Sequence, residues 1–357
     1  MENKEELKVS LKDLTLPQLE SFVTGLGADK YRARQVAEWI FGKGAASFRE
    51  MTNLAADFRN MLESSARVSR LGIATKVQSK RGDTVKYLFA LNDGQAVESV
   101  LMKHDYGHSV CVSTQVGCRY ACRLCASGLG GFIRDLSAGE IYDQVLAMQR
   151  DSGTRVSHVV LMGSGEPLEN YGAVMTFIRN ITAPYGLNIG GRHITISTCG
   201  LVPGIRKLAG EGLPLTLAVS LHAPNDSDRD LLMPINKKYP LKELIPACRD
   251  YARATGRRVT FEYALIAGVN DSRGHALELA RLLSGALCHV NLIPVNPVLE
   301  RGVEPPARQQ VGLFKTLVEQ GGLAVTVRKE FGADIGAACG QLRRRMLGSE
   351  IGDRGQD

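Results

Sequence analysis

Eight cysteines occur in this 357-residue chain, and four of them, Cys111, Cys118, Cys122 and Cys125, crowd into residues 111–125. The last three lie in the segment CRYACRLC with the spacing C-x3-C-x2-C. Soft thiolates select zinc or iron–sulfur clusters. The spacing is not the paired C-x2-C of structural zinc sites. A four-iron cluster ordinarily takes four cysteines, so three from one loop leave one iron open to another ligand. An α-amino and carboxylate pair, as S-adenosylmethionine carries, can chelate it. A zinc knuckle completed by Cys111 or a histidine, or inert thiols, are the alternatives. Eight cysteines are too sparse for a disulfide scaffold, and Cys199, Cys248, Cys288 and Cys339 are scattered. Clustered cysteines in a cytosolic chain point instead to a metal or to catalysis.

The elements that must position this loop follow a rhythm of strand, loop and helix from about residue 109. Strands are expected at SVCVSTQV, HVVLM (158–162), HITIS (193–197), LTLAVS (215–220), RVTFEYALI (258–266) and HVNLIPV (289–295), with LAVTV (323–327) later. Ser137 and Glu140 form a capping box ahead of Ile141, Val145 and Met148 on one helical face. Further helices fit 171–181, 241–255, 274–285 and 306–320. This alternation calls for a parallel sheet, either doubly wound or closed toward a barrel. Chemically loaded segments follow the strands: GCRYACRLC, GSGEP, STCG, SLH, an EY-containing stretch and PVNP. Functional groups gathered at the C-terminal ends of successive strands are what a (β/α) barrel delivers. Six units predict an incomplete (β/α)6 barrel whose open side suits a large substrate.

Ahead of the barrel, residues 1–75 read as a small helical accessory domain. Helices are expected after Thr15–Leu16–Pro17, through YRARQVAEWIFGKG with Val36, Ala37, Trp39 and Ile40 on one face, and in LAADFRNMLESS. Lys30, Arg32, Arg34 and Lys43 make the unit basic, suited to hold RNA or simply solvated. A β-hairpin over 76–108 turns at Asn92–Asp93–Gly94. The barrel is expected over 109–330, and 331–357 forms a C-terminal segment. The formal net charge of +7 favours an acidic partner, most commonly nucleic acid. With 44% hydrophobic and 23% charged residues, no long apolar run and a charged N-terminus, the chain reads as a cytoplasmic globular protein without a membrane partner.

In order along the chain stand CVSTQVGC, CRYACRLC, GGFIRDLSAGEI, MGSGEPLEN, HITISTCGLVP, SLHAPND, MPINKKYPL, GVND, HVNLIPVNP and DIGAACGQL. Through these motifs the chain resembles the RlmN/Cfr family of radical S-adenosylmethionine RNA adenosine methyltransferases, and QVGC and GEPL place it nearer the RlmN branch. The resemblance implies a TIM-like radical SAM barrel with a [4Fe–4S] cluster on Cys118, Cys122 and Cys125. Two S-adenosylmethionine molecules per turnover serve as methyl donor and radical source. The implied reaction is methylation of adenine C2 in 23S rRNA, at the peptidyl-transferase centre, and in tRNA, beside the anticodon. In that scheme Cys339 is the S-methylcysteine intermediate, Glu98 the proton acceptor and Cys111 the resolving thiol. Gly165 and Glu166 take the methionine amino group. Ser197, Ser220, Leu221, His222 and Asn296 make the remaining cofactor contacts. An electron donor such as flavodoxin or ferredoxin is implied, and a monomer is expected.

On residue type alone, Cys339 reads as a small buried hydrophobe, Glu98 as a solvent-facing strand residue and His222 as a satisfied core histidine. Leu124 replaces an aromatic residue common in the family, and Ser164, Gly128 and Cys199 also differ from the commoner residues. Cys199 adds a thiol near the proposed site. A Cfr-like adenine-C8 methyltransferase and a non-catalytic zinc RNA-binding protein are the competing readings.

Overall fold

Alternate residues of each barrel strand are apolar, and this period of two decides which face of the sheet the helices cover. In β9, Val156–Leu161, the side chains of Val159 and Leu161 are fully buried beneath helices, while His158 and Val160 face the barrel interior and are only half-buried. The computed structural model describes residues 8–298, 300, 302–338, 340–342 and 345–346.

The chain starts with β1, Val9–Ser10, which pairs in parallel with β2, Ala66–Arg67, and so brackets the helical unit. Its helices are α1, Leu16–Gly25, α2, Tyr31–Ala37, and α3, Ala56–Ser65. Thr15 starts α1, its N–H donating to Gln18 Oε1 at 2.9 Å, with Pro17 in the first turn. A π-helical turn, Glu38–Gly42, extends α2 and buries Ile40 and Phe41. Trp39 lies at the margin of that face: its ring nitrogen donates to Asn53 Oδ1 and Lys43 Nζ stands 3.6 Å over the ring.

An antiparallel run follows: β3, Gly72–Gln78, β4, Thr84–Ala90, β5, Gln95–His104, and β6, Gly107–Val112. The expected hairpin joins β4 to β5, with Gly94 at φ +78°. It does not stand alone as a connector. It is the continuation of the barrel sheet through β6, which pairs in parallel with β9.

The segment expected as one strand, SVCVSTQV, is divided between β6 and the short β7, Gln115–Gly117, which pairs with β8, Phe132–Asp135. The barrel then proceeds as α4 (Ala138–Ser152), β9, α5 (Tyr171–Thr182), β10 (Ile194–Thr198), α6 (Val202–Ala209) and β11 (Thr216–Ser220). It continues as α7 (Asp226–Leu232), α8 (Leu241–Thr255), β12 (Val259–Leu265), α9 (Arg273–Leu283), β13 (Cys288–Pro294), α10 (Arg308–Gln320) and β14 (Val325–Val327). Sheet order is β14-β13-β12-β11-β10-β9-β6-β5-β4-β3, with a two-residue strand β15, Arg345–Met346, on β5. The strands from β6 to β14 are parallel, and the path ends on β14 and β3 without closing, as the six βα units predict.

One apolar core runs from Leu11 and Val36 of the helical unit through the barrel helices. Phe41 and Tyr142 meet across this seam with ring centroids 5.0 Å apart. Beside them Lys12, 2% exposed, donates to Asp143 of α4, 3% exposed, and to Ser69 O at 2.8 Å. Burial pushes the Asp143 carboxyl upward against the pull of Lys12. Removing one partner of a buried pair strands the other charge, at a cost of about 3–5 kcal/mol. Lys12→Met is therefore expected to destabilise the protein by about that amount in chemical denaturation. A loss near zero would show that Asp143 is held neutral.

Candidate active site

The cysteine loop is pinched at its base by β7 and β8. Gly117 has φ +76°, and a Cβ there would stand 1.8 Å from Gly131 O, so only glycine fits. Cys118 N–H donates to Gly131 O at 3.2 Å and Cys125 N–H to Cys122 O at 3.2 Å. The three half-buried thiols line one cavity of about 130 Å³. Burial pushes the Cys118 thiol up to about 12 and raises Cys122 as well, each further raised by its neighbouring thiols.

Among the described residues, no three His, Cys, Asp or Glu side chains converge on a single metal ion. One zinc ion needs such convergence. A four-iron cluster takes each thiolate on a different iron, which suits three thiols around a shared space. Three thiols around one cavity are a donor set that a four-iron cluster can use, one thiolate on each of three irons.

Opposite the thiols stand the strand ends. Glu166, 3% exposed, accepts from Leu168 N–H at 3.0 Å and from Cys199 N–H at 2.7 Å. Burial raises its carboxyl, and these hydrogen bonds oppose the rise. Gly165, at φ +105°, packs so closely that a Cβ would stand 2.6 Å from Gln115 Cβ. Ser197, Ser220, His222 and Asn296 line the same cavity. His222 is itself in the left-handed region at φ +59°, and its Nδ1 accepts from Ala264 N–H at 3.0 Å. Burial and the nearby Arg229 depress its pKa to about 3, so the ring is neutral and Nε2 carries its proton. His222 is thus a satisfied buried histidine that also lines the cavity. Leu221 differs: its side chain is wholly buried in the main core and only its backbone belongs to the strand end.

Arg229 was not foreseen. Fully buried, it donates to the carbonyls of Cys199 (2.8 Å), Ser220 (3.1 Å) and Leu221 (3.1 Å) and to Asn236 Oδ1 (2.8 Å). It gathers the ends of β10 and β11 into one wall. In sequence it is one more charged residue of a polar helix, DSDRDLL, and nothing separates it from a solvated arginine.

A second cavity, of about 290 Å³, adjoins the first and shares Cys125, Met162, Asn296 and Gly340 with it. Cys111, opposite Val100 in the sheet, lines it and packs with Met102, Ala337 and Leu342. The C-terminal segment is tied to the cysteine loop here. Ala126 N–H donates to Gly340 O at 2.7 Å and Ser127 Oγ to Leu342 O at 2.8 Å. Ala338 and Gly340 line the cavity; Cys339 lies outside the described residues.

Glu98 is not solvent-facing as its residue type suggests. It is 2% exposed, and Lys86 Nζ stands 3.3 Å from Oε1. Period-two alternation puts it on the Val100 face of β5, but it is not among the residues lining either cavity. Lys86, also not foreseen, reaches Gly336 O at 3.5 Å and so couples Glu98 to the C-terminal segment.

Gly340 has φ +83°, and a Cβ would stand 2.9 Å from Leu124 O. Left-handed backbone costs a residue bearing a Cβ roughly 1–2 kcal/mol. Gly340→Ala is expected to undock this segment and lower turnover by roughly 5- to 30-fold, that energy expressed as a rate. Iron content should stay at the wild-type value. Unchanged turnover would show that docking of this segment is not required.

Residues 9–68 match the family described as ribosomal RNA large subunit methyltransferase N-terminal domain, and residues 112–280 match the radical SAM superfamily. A protein of Pelotomaculum thermopropionicum, named "Probable dual-specificity RNA methyltransferase RlmN", is 66% identical over 351 residues, 98% of this chain and 95% of its own. The chain belongs to the RlmN family of radical S-adenosylmethionine RNA methyltransferases. A similarly named protein of Desulforudis audaxviator is 62% identical over 87% of this chain and 98% of its own. A solved radical SAM methyltransferase from Sphaerobacter thermophilus superposes with a TM-score of 0.89 at 46% identity, covering 94% of this chain and 99% of that one. As an RlmN-family member the chain uses a [4Fe–4S] cluster and S-adenosylmethionine. Among the described residues, no helix is long and apolar enough to cross a membrane.

Proposed function

We propose that this enzyme methylates C2 of adenosine in 23S rRNA, at the peptidyl-transferase centre, and in tRNA, beside the anticodon. The observation that carries the reading is the pair of adjoining cavities: one lined by Cys118, Cys122 and Cys125, the other by Cys111 and the residues flanking Cys339. The relatives' description as dual-specificity RNA methyltransferases supports two RNA classes.

Adenine C2 bears hydrogen and is not nucleophilic, so it cannot displace a methyl group from a sulfonium. When bound, the cluster and S-adenosylmethionine supply the one-electron chemistry that activates an otherwise inert methyl carbon. In our reading Cys118, Cys122 and Cys125 hold the cluster. Glu166, its carboxylate fixed by two backbone N–H groups, pairs with the cofactor's ammonium, a charge-assisted contact. Gly165 lets the backbone approach it. Neutral His222 offers its Nε2–H, while Ser197, Ser220, Asn296 and the Leu221 backbone complete the contacts.

Cys339 first accepts a methyl group on its thiolate; with the radical chemistry that the cofactors would supply, that carbon would give up one hydrogen atom, bond to adenine C2, and leave one odd electron to pass back to the cluster. Glu98 takes the C2 proton. The Cys111 thiolate then attacks the Cys339 sulfur: an S–S bond forms, the S–C bond breaks, and its electron pair stays on the released carbon, which takes a proton. The resulting disulfide is two electrons oxidised and must be reduced by exchange with an external thiol. A second S-adenosylmethionine serves each turnover, and a flavodoxin- or ferredoxin-like donor supplies electrons.

Anaerobic turnover with methyl-labelled S-adenosylmethionine, followed by nucleoside mass spectrometry of rRNA and tRNA, tests the reading. Labelled 2-methyladenosine in both is the expected product. Labelled 8-methyladenosine alone would overturn it in favour of Cfr-like chemistry.

A further inference from the structure

Inward-facing barrel positions form two layers. The upper layer includes Cys111, Met162, Ser197 and Ile293 and belongs to the two cavities already described. Two residues earlier on each strand stand Ser109, Val160, Thr195 and Asn291, lining a separate basin of about 510 Å³ at the N-terminal ends of the strands. Closed barrels fill this space with branched aliphatic side chains. Here most of the lining residues are polar, and the space is open.

Rings in contact run along the basin. Phe331 meets His104 edge-on at 4.7 Å, His104 stacks on Tyr106 at 4.6 Å and 9°, and Tyr106 meets His158 at 5.0 Å. His158 then contacts His193, with Nε2 and Nδ1 2.9 Å apart. Tyr106 is 66% exposed and occupies the two-residue turn between β5 and β6. Despite those two ring contacts most of the Tyr106 side chain stays in solvent, at a hairpin tip where small polar residues are the usual occupants. The cations Arg192, Arg328 and Lys329 line the same basin. Glu262, its one buried carboxylate, is hydrogen-bonded by Asn291 at 2.9 Å and lies 3.9 Å from Arg328, which leaves the cations Arg192 and Lys329 exposed against a single exposed carboxylate, Asp105, beside Tyr106.

Aromatic platforms beside cations are how proteins hold single-stranded nucleic acid: bases stack and phosphates meet the charge. The basin and the Cys111 cavity have Met102, Met162, Arg328, Lys329 and Phe331 in common, so a strand entering one continues into the other. We propose that this basin holds the nucleotide adjoining the target adenosine, its base stacked on Tyr106 and its phosphates facing Arg192 and Lys329. The inference rests on the RNA-methylation reading and adds where the flanking strand lies.

The test uses the full-length, cluster-loaded protein and a fluorescently labelled stem–loop RNA with an unpaired adenosine in its loop, read by anisotropy at several salt concentrations. Tyr106→Ala is expected to weaken binding by about 5- to 150-fold, the range for removing one base stack, and to raise KM while leaving kcat. Tyr106→Phe, which keeps the ring, should bind as wild type does. Arg192→Gln with Lys329→Gln should lower the slope of log Kd against log salt by roughly 0.7 for each phosphate no longer neutralised. Iron content and thermal melting check that each variant is folded. An unchanged Kd and slope, or equal loss in Tyr106→Ala and Tyr106→Phe, would overturn the inference. Nucleoside analysis of the wild type separates the two claims. Wild type that methylates adenosine while Tyr106→Ala binds normally sinks only the basin; binding through Tyr106 without methylation sinks only the reaction.

Discussion

The Cys111→Ala protein is expected to stop after a single event, with RNA covalently held on Cys339 and free methylated RNA absent. Cys111 is half-buried on β6 among Val100, Met102, Ala337 and Leu342, and alanine removes only its sulfur. The fold has little to lose, since no cysteine ligand of the cluster and no main-chain hydrogen bond is touched. In the proposed scheme the chemistry up to the carbon–carbon bond needs Cys339 and the cofactors and not Cys111, so it should proceed. What is missing is the nucleophile that cleaves the S–C bond. A band of protein with RNA on a denaturing gel, removed by nuclease digestion and mapped by peptide mass to Cys339, is the readout. Cys339→Ala should give neither the band nor product. Wild-type turnover by Cys111→Ala would mean that this thiol only fills the apolar cluster around Val100.

How much of this arrangement is legible without coordinates depends on whether a residue's role leaves a trace in its neighbours' spacing. The cysteine loop does, because C-x3-C-x2-C is short-range. The strand ends do as well, because period-two runs such as HITIS stop abruptly at STCG. The strand β3 does not: GIATKVQ is exposed along almost all its length, so its sequence carries no burial pattern. Glu98 reads as a surface residue because the partner that permits its burial, Lys86, lies on another strand and is set by sheet register. Arg229 is invisible for a similar reason. Its bonds are to main-chain carbonyls, which every residue possesses. Contacts between side chain and backbone over long range are thus where sequence reasoning ends.

Cys122→Ala is expected to lose the cluster, its visible absorption and all methyl transfer, whereas Cys199→Ala should keep wild-type iron content. The contrast matters because, among the described residues, four thiols line the cavity proposed for the cofactors: Cys118, Cys122, Cys125 and Cys199. Were Cys199 a fourth ligand, every iron would be taken by protein and none left for the cofactor's amino and carboxylate groups. The geometry assigns Cys199 another place. It follows β10 outside the cysteine loop, yet near enough to Cys122 and Cys118 for both to act on its thiol, with its carbonyl held by Arg229 at 2.8 Å and its N–H directed to Glu166 Oε2 at 2.7 Å. Burial raises its thiol far above an ordinary cysteine, and the charge of the neighbouring Glu166 carboxylate raises it further. A thiol set beside a carboxylate is poorly placed to become an iron ligand. Cys122 stands against Cys118 and Cys125 instead, in a loop whose base only glycine at 117 permits. Iron and sulfide assays after anaerobic reconstitution decide the matter. Equal iron loss in both variants would make the site a four-cysteine centre, leaving no iron for S-adenosylmethionine and removing the ground for radical chemistry at this cavity.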